Sequence, residues 1–269
     1  MPPPRLEFRG VTRRFCVDSR GSGLAEPLVA VRDVSLAVAD GEVVSLIGPS
    51  GCGKSTLLTM AAGLDRPSSG EVYVDGHRVD GPNRHVAFML QKDLLMPWRT
   101  ILENVEIGLE IRGEPVARRR AKASEHLTRC HLGRFLNHYP HQLSGGMRQR
   151  AALARTLVVD PDVILLDEPF SAVDAQTKLV LQRDFGQAFA DQRKSVLFIT
   201  HDLSEAVALS DRVLVMSERP GTVIREIVID IPGRADSFTR RQDPRMATYV
   251  GELMALLHIN EGDAVGAAA

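Results

Sequence analysis

The chain has 269 residues, 44% of them hydrophobic and 25% charged, with a formal net charge of -1. That length supports a large core, as one large domain or two small ones, and the near-neutral balance argues against a general electrostatic grip on nucleic acid while saying nothing about local patches. No apolar run approaches the roughly 20 residues of a membrane span, and Met1-Pro2-Pro3-Pro4-Arg5 contains no apolar signal core.

In chain order, Leu6–Val11 alternates apolar and polar residues, as a half-buried strand does. Asp18–Pro27 reads as a hairpin loop and Leu28–Val38 as the returning strand. Asp40-Gly41 is a turn, and Val43–Ile47 is a short apolar run of the kind that forms a buried strand. Gly48, Pro49, Ser50, Gly51, Cys52, Gly53, Lys54 and Ser55 then fit G-x-x-x-x-G-K-[ST], and Thr56–Met60 resumes a helix-compatible pattern. Strand, glycine loop and helix in that order make a phosphate-binding loop. Glycine lets backbone close around an anion, and successive amides with the positive helix end hold the β- and γ-phosphates of a nucleotide. Lys54 is a point charge for phosphate oxygens, and Ser55 offers a hydroxyl to Mg2+. The competing reading, a Gly/Ser turn that happens to precede a lysine, lacks the flanking strand and helix.

Further turns are expected at Pro67–Gly70 and Asp75-Gly76, and strands at Glu71–Val74 and His85–Leu90, the latter ending at Gln91. From about residue 92 to about 157 the chain is helix-forming, with Arg118–Lys122 and Glu125–Leu136 as clear stretches. Parallel-sheet character returns at Val163–Leu166, Val196–Ile199 and Arg212–Met216, so a helical insertion interrupts an α/β sheet. Val223–Ile231 reads as a closing edge strand, 239–258 as a helix, and Glu261–Ala269 as a frayed tail. The three cysteines (Cys16, Cys52 and Cys130) are far apart, with no C-x-x-C, and read as reduced thiols of a cytosolic protein. Cys52 sits where positive charge could lower its pKa, but a plain role as a small loop residue is preferred.

Two more stretches carry chemistry. Val163–Leu166 is followed by Asp167, Glu168 and Pro169, so a buried parallel strand delivers two acids at its carboxyl end, where ligands sit in open α/β sheets. Asp167 is expected to hold Mg2+ through its water shell, and Glu168 to orient or deprotonate the water that attacks the γ-phosphate. Solvated acids at a strand end are the ordinary alternative, outweighed here by the upstream phosphate loop. Ser144, Gly145 and Gly146 precede the helical run Met147–Leu157 and read as a helix start with exposed amides and a hydroxyl, a second anion site.

Leu143-Ser144-Gly145-Gly146-Met147-Arg148-Gln149-Arg150, together with the phosphate loop and the acid pair, resembles the signature sequence of ATP-binding-cassette ATPases, over residues 5 to about 230. The resemblance implies an α/β fold: a P-loop NTPase core with a mostly parallel sheet flanked by helices, an antiparallel β subdomain and an inserted α-helical subdomain. It places a nucleotide-binding domain at 1–235, with the helical part at about 92–157, and a C-terminal helix and tail at 236–269. It implies that Phe15 stacks on adenine (Phe8 being the rival, and core packing the alternative for either), that Gln91 contacts Mg2+ and the attacking water, and that His201 touches the γ-phosphate. Asp174, in Ser171-Ala172-Val173-Asp174, matches the loop where two subunits meet.

In that family two cassettes pair head to tail, so that Ser144–Gly146 of one copy closes over ATP held by the phosphate loop of the other. The implied enzyme is an ATPase using Mg2+, acting with a second copy or a similar chain. Leu94-Leu95-Met96-Pro97-Trp98, Asp202–Ala206 and Ser217-Glu218-Arg219-Pro220-Gly221 resemble importers of nitrate, sulfonates such as taurine, and related small anions. The partners so implied are transmembrane permease subunits and, indirectly, a substrate-binding protein, with no nucleic acid, at the cytoplasmic face of a bacterial-type cell membrane. Trp98 is read equally as packing or as facing a membrane subunit. The alternative function is a soluble ATPase of the same family acting on nucleic acid or ribosomes, whose members usually resemble tandem cassettes or carry coiled coils. An unrelated phosphate-loop kinase or GTPase is a third reading; the guanine-reading Asn-Lys-x-Asp is absent. His126, His131, His138 and His141 cluster without a zinc spacing, and Arg118-Arg119-Arg120 with Lys122 reads as a solvated helix face.

Overall fold

The computed structural model describes residues 3–16, 27–171, 173–191 and 193–258. The expected hairpin loop, apart from Pro27, the tail Glu261–Ala269, Ala172 and the side chain of Cys16 lie outside the described residues.

Leu6–Cys16 (β1) pairs antiparallel with Pro27–Val38 (β2) on one side and with Ser69–Val74 (β4) on the other. His77–Arg78 (β5) completes this four-stranded sheet, ordered β2-β1-β4-β5. The second sheet starts with Val43–Ile47 (β3), which runs through the phosphate-loop stretch into the helix Lys54–Ala61 (α1). Val86–Met89 (β6), Val163–Asp167 (β7), Ser195–Ile199 (β8), Arg212–Met216 (β9) and Val223–Val228 (β10) complete it in the order β10-β9-β3-β8-β7-β6. Every pairing in it is parallel except that of the edge strand β10 with β9. β3, β7 and β8 are buried at every position, which is why they appear as unbroken apolar runs rather than alternating ones.

Alternate residues of these strands feed opposite layers. Val44, Leu46, Leu165, Leu197 and Leu214 pack with α1 and the antiparallel sheet. Ile164, Leu166, Val196 and Phe198 face the other side, joined there by helices Ile101–Ile111 (α2), Val116–Arg129 (α3), Gly145–Leu157 (α4) and Ala175–Asp191 (α5). Helices α2, α3 and α4 fall between β6 and β7 in the chain. Leu203–Leu209 (α6) and β9 pack with Arg245–Leu256 (α8) in a third cluster around Leu253.

Three expectations are corrected. The helix expected over Glu125–Leu136 stops at Arg129. Leu132 N–H donates to the Leu127 carbonyl at 2.7 Å and His131 N–H to that of Thr128 at 3.0 Å, with His131 at φ 59°. This is the Schellman closure, made with histidine where glycine is usual, so the ordinary stop signal is missing. The single helix expected over 239–258 is two, Ser237–Arg241 (α7) and α8. Pro244 disfavours helical backbone at Asp243, and the Asp243 carboxylate accepts the Arg245 N–H at 2.9 Å, which starts α8 afresh. Finally, Arg119 is not simply solvated, because its Nε lies 3.3 Å from the buried Glu106 carboxylate.

Candidate functional site

Loops that leave the carboxyl ends of β3, β7 and β8 line one crevice, the position where open α/β sheets bind ligands, and Gln91, after β6, reaches the Glu168 carboxylate there. After β3, Gly51 (φ 76°) and Gly53 (φ 102°) take left-handed backbone that L side chains rarely adopt. A Cβ on Gly53 would come 2.4 Å from the Val31 side chain, so glycine is needed there for the loop to lie against β2. Lys54 is buried and donates to the carbonyl oxygens of Gly48 at 2.7 Å and Pro49 at 2.8 Å. Its Nζ also lies 3.7 Å from the buried Cys52 sulfur, which makes Cys52 part of the loop's inner packing. Ser50, Gly51, Gly53, Lys54, Ser55 and Thr56 line an open cavity of about 330 Å3, and Glu168 and His201 also line it. Gly48, Pro49 and Ser50 also border a neighbouring hollow against Thr200 and Leu203.

The acids sit as the strand reading expects. Asp167 ends β7 and is 7% exposed. Burial pushes its carboxyl above the usual carboxylate range, opposed by the Ser55 hydroxyl, and the neighbouring Glu168 charge pushes the same way as burial. Glu168 is held at φ 48°, an uncommon conformation for a non-glycine residue, and its N–H donates to the Ile199 carbonyl at 3.1 Å. Both carboxylate oxygens are engaged: Gln91 Nε2 donates to Oε2 at 2.9 Å, and His201 Nε2 lies 2.5 Å from Oε1. Three side chains from three different strand ends therefore meet at one carboxylate. The buried Asp167 carboxylate, the Ser55 hydroxyl beside it and the Gln91 side-chain amide offer oxygen donors of the kind that suit Mg2+.

The two aromatic candidates separate cleanly. Phe8 is 1% exposed and belongs to the core. Phe15 lines the cavity, with the Arg13 guanidinium 4.6 Å above its ring.

Ser144 is the N-cap of α4, its hydroxyl accepting from Met147 N–H at 3.4 Å, and Gly145 and Gly146 open the helix. Among the described residues that line the cavity, none belongs to 144–146. Asp174 caps α5 by accepting the Thr177 N–H at 3.0 Å, and this bond, with the Thr177 hydroxyl, holds its carboxyl below the usual range.

Several contributors were not singled out from sequence. Arg148 donates to Asp93 at 3.0 Å, Gln149 to the Gln91 carbonyl at 3.3 Å and Arg155 to the Leu94 carbonyl at 2.8 Å, so α4 holds the segment that carries Gln91. Asn104, fully buried, accepts from Met96 N–H at 2.7 Å and donates to the carbonyls of Met96, Arg99 and Thr100, fixing the turn from which Trp98 projects. Trp98 is 72% exposed and Leu94 54%, so the packing reading of Trp98 is excluded. Arg219, noted in sequence only within Ser217–Gly221, donates to the Gly51 carbonyl. Thr100 and Glu103 form a capping box at the start of α2, a Thr-x-x-Glu pattern that is a sequence signal for this helix start. Among the described residues, the histidine nearest to a metal spacing is His85, with Asp75 and Asp162, rather than any in the insertion. There His131 Nε2 lies 3.6 Å from Asp184, and His138 packs edge-on against Phe135.

A protein family described as ABC transporter matches residues 31–171, which contain the glycine loop, the Ser144 helix start and the acid pair. The chain is 41% identical over 261 residues to the nitrate import ATP-binding protein NrtD of Synechocystis sp., covering 95% of this chain and 96% of that one. It is 43% identical over 205 residues to the taurine import ATP-binding protein TauB of Yersinia pestis, covering 76% and 80%. Among solved structures it resembles a dimeric ATP-binding cassette in a post-hydrolysis state bound to ADP and Pi, with a TM-score of 0.74 and 34% identity over 83% of this chain and 98% of that one.

Proposed function

The chain belongs to the ABC transporter family as an ATPase, and from that premise we propose that it is the motor subunit of an importer for a small anion, coupling ATP binding and hydrolysis at a head-to-tail dimer interface to transport through separate membrane subunits. The relatives named for nitrate and taurine import support a substrate of the nitrate or sulfonate kind. Among the described residues no helix is long and apolar enough to cross a membrane. In this reading, which the importer relatives support, other chains form the transport path and the motor sits peripherally on the cytoplasmic membrane face. The exposed Leu94 and Trp98, standing on a turn that α4 and Asn104 hold, supply an apolar contact for such a partner.

The observation that carries the reading is the Glu168 carboxylate meeting Gln91 and His201 in the cavity that Lys54 also lines. Phe15 stacks on the adenine. The amides of 48–56 and the Lys54 ammonium hold the phosphates. Ser55, Asp167 and Gln91 would hold Mg2+, which supplies charge neutralisation between the phosphate oxygens. Glu168 accepts the proton of the attacking water, Gln91 orients that water, and His201 moves from Glu168 to the γ-phosphate when ATP enters. Ser144, Gly145 and Gly146 of a second copy close over the triphosphate, beside Asp174, because one amide-lined surface leaves much of its charge uncompensated.

The test is Glu168→Gln. Turnover falls at least about a hundredfold while ATP stays bound, the loss typical of removing a general base. A variant hydrolysing ATP at the normal rate would remove Glu168 from the mechanism. Capture of the intact chain from membranes together with permease subunits supports the importer reading, and capture with ribosomes instead overturns it.

A further inference from the structure

Arg219 lies in the turn between β9 and β10, 168 residues from Gly51, yet its Nε and Nη2 both donate to the Gly51 carbonyl oxygen, at 2.9 and 2.7 Å. The approach uses the space that a side chain on residue 51 would fill, since a Cβ there would come 2.9 Å from Nη2. The turn is itself tied down. Ser217 N–H donates to the Thr222 carbonyl at 2.9 Å, Gly221 N–H donates to Ala30 at 2.9 Å, and the Gly221 carbonyl accepts from Arg32 N–H at 3.0 Å. Gly221 lies so close to the loop that a Cβ would come 2.0 Å from the Cys52 carbonyl oxygen. Arg219 also lines the cavity, with Phe15, Ser50 and Lys54.

A phosphate loop works only while its N–H groups face the anion and its carbonyl oxygens do not. Each carbonyl carries the negative end of a peptide dipole, and one turned inward would repel a triphosphate. Lys54 occupies the carbonyls of Gly48 and Pro49 from inside the loop. Gly51, without a Cβ and at φ 76°, is a point where the peptide plane can turn over at little steric cost. We propose that Arg219 is a positioning residue for nucleotide binding: its two-pronged grip on the Gly51 carbonyl keeps that oxygen turned away from the triphosphate, so the loop is preset before ATP arrives. A preset loop loses less conformational freedom on binding, and the benefit is felt in affinity more than in the chemical step. The inference rests on the ATP-site reading.

The experiment compares wild type, Arg219→Ala, Arg219→Lys and Lys54→Ala as intact chains, reading ATP affinity by calorimetry, KM and kcat for ATP hydrolysis, and the melting temperature without nucleotide. Arg219→Ala is expected to raise Kd and KM about five- to tenfold with kcat changing less than about twofold, the pattern of lost binding rather than lost chemistry. Lysine supplies a cation but not the paired N–H fork, so Arg219→Lys restores only part of the affinity. Unchanged Kd and KM in Arg219→Ala, or a loss confined to kcat, overturns the proposal. So does a loss that alanine and lysine share equally. Should Arg219→Ala not fold, Arg219→Lys decides alone, and wild-type Kd and KM in it overturn the proposal. Lys54→Ala separates the two levels: if it loses ATP while Arg219→Ala does not, only this inference falls, and if it binds ATP normally, the ATP site itself is misassigned.

Discussion

Asp167 shows how a single buried charge ties stability to binding. Its folded pKa is raised, mainly by burial. An acid raised in this way favours the folded state while protonated, and that contribution is lost as pH rises through its folded pKa. At neutral pH the carboxylate is therefore a cost until a cation reaches it. We expect Asp167→Asn to raise the melting temperature of the nucleotide-free chain at neutral pH and to abolish the extra stabilisation that Mg2+ adds to ATP. A melting series with ATP alone and with Mg2+-ATP checks both, and an unchanged Mg2+ increment in the variant contradicts the assignment. Local motifs made this part of the site legible in sequence: Gly48–Ser55 and Asp167-Glu168 are contiguous, and each follows a buried strand. Arg219 and Asn104 were not legible as site residues. Arg219 finds its partner 168 residues away, and Asn104 bonds backbone that any sequence would supply.

At the scale of elements, α4 does two jobs. Its first residues are the proposed surface for a neighbour's ATP, and its Arg148, Gln149 and Arg155 hold the backbone that presents Gln91 and, beyond it, Trp98. Asn104 completes that support from α2. Asn104→Ala would orphan the Met96 N–H and the Arg99 carbonyl, while the Met96 and Thr100 carbonyls keep the backbone N–H groups of Arg99 and Asn104, so we expect a loss of about 1–3 kcal/mol in unfolding free energy by denaturant titration. Trp98→Ala, at an exposed position, should shift stability by less than about 0.5 kcal/mol while weakening co-purification with membrane subunits. Equal stability losses in the two variants would contradict this division. The start of α8 gives a pH signature. Asp243 is held down to about 2, chiefly by the Arg245 side chain, from an ordinary 3.8. A depressed acid contributes stability above its unfolded pKa and loses it as pH falls through its folded value. The difference in melting temperature between wild type and Asp243→Asn should therefore hold above about pH 4 and shrink toward pH 2. Elements whose apolar period was unbroken, such as β7 and β8, were legible. The ends of α3 and α7 were not, because His131 took a place usually held by glycine and Pro244 divided one periodic stretch in two.

For the whole molecule, the fold class could be read from the order of strands and the helical run between β6 and β7, and the resemblance to solved cassettes agrees with it. The antiparallel sheet was harder to see. β1 carries register shifts against both neighbours, which disturb the simple alternation beyond Val11. Pairing between copies cannot be read from any one element, yet it organises the proposed site. The cavity has the glycine loop, Glu168 and His201 on its walls, while Ser144 caps a helix outside the cavity lining. ATP gripped from two sides then requires two chains.

Sedimentation of purified Glu168→Gln, with and without Mg2+-ATP, tests this most directly. The account predicts a monomer without nucleotide and a dimer holding two ATP with it, lost again when Ser144→Arg is added. A variant that binds ATP fully and stays monomeric at every concentration, or a dimer indifferent to Ser144→Arg, would contradict it.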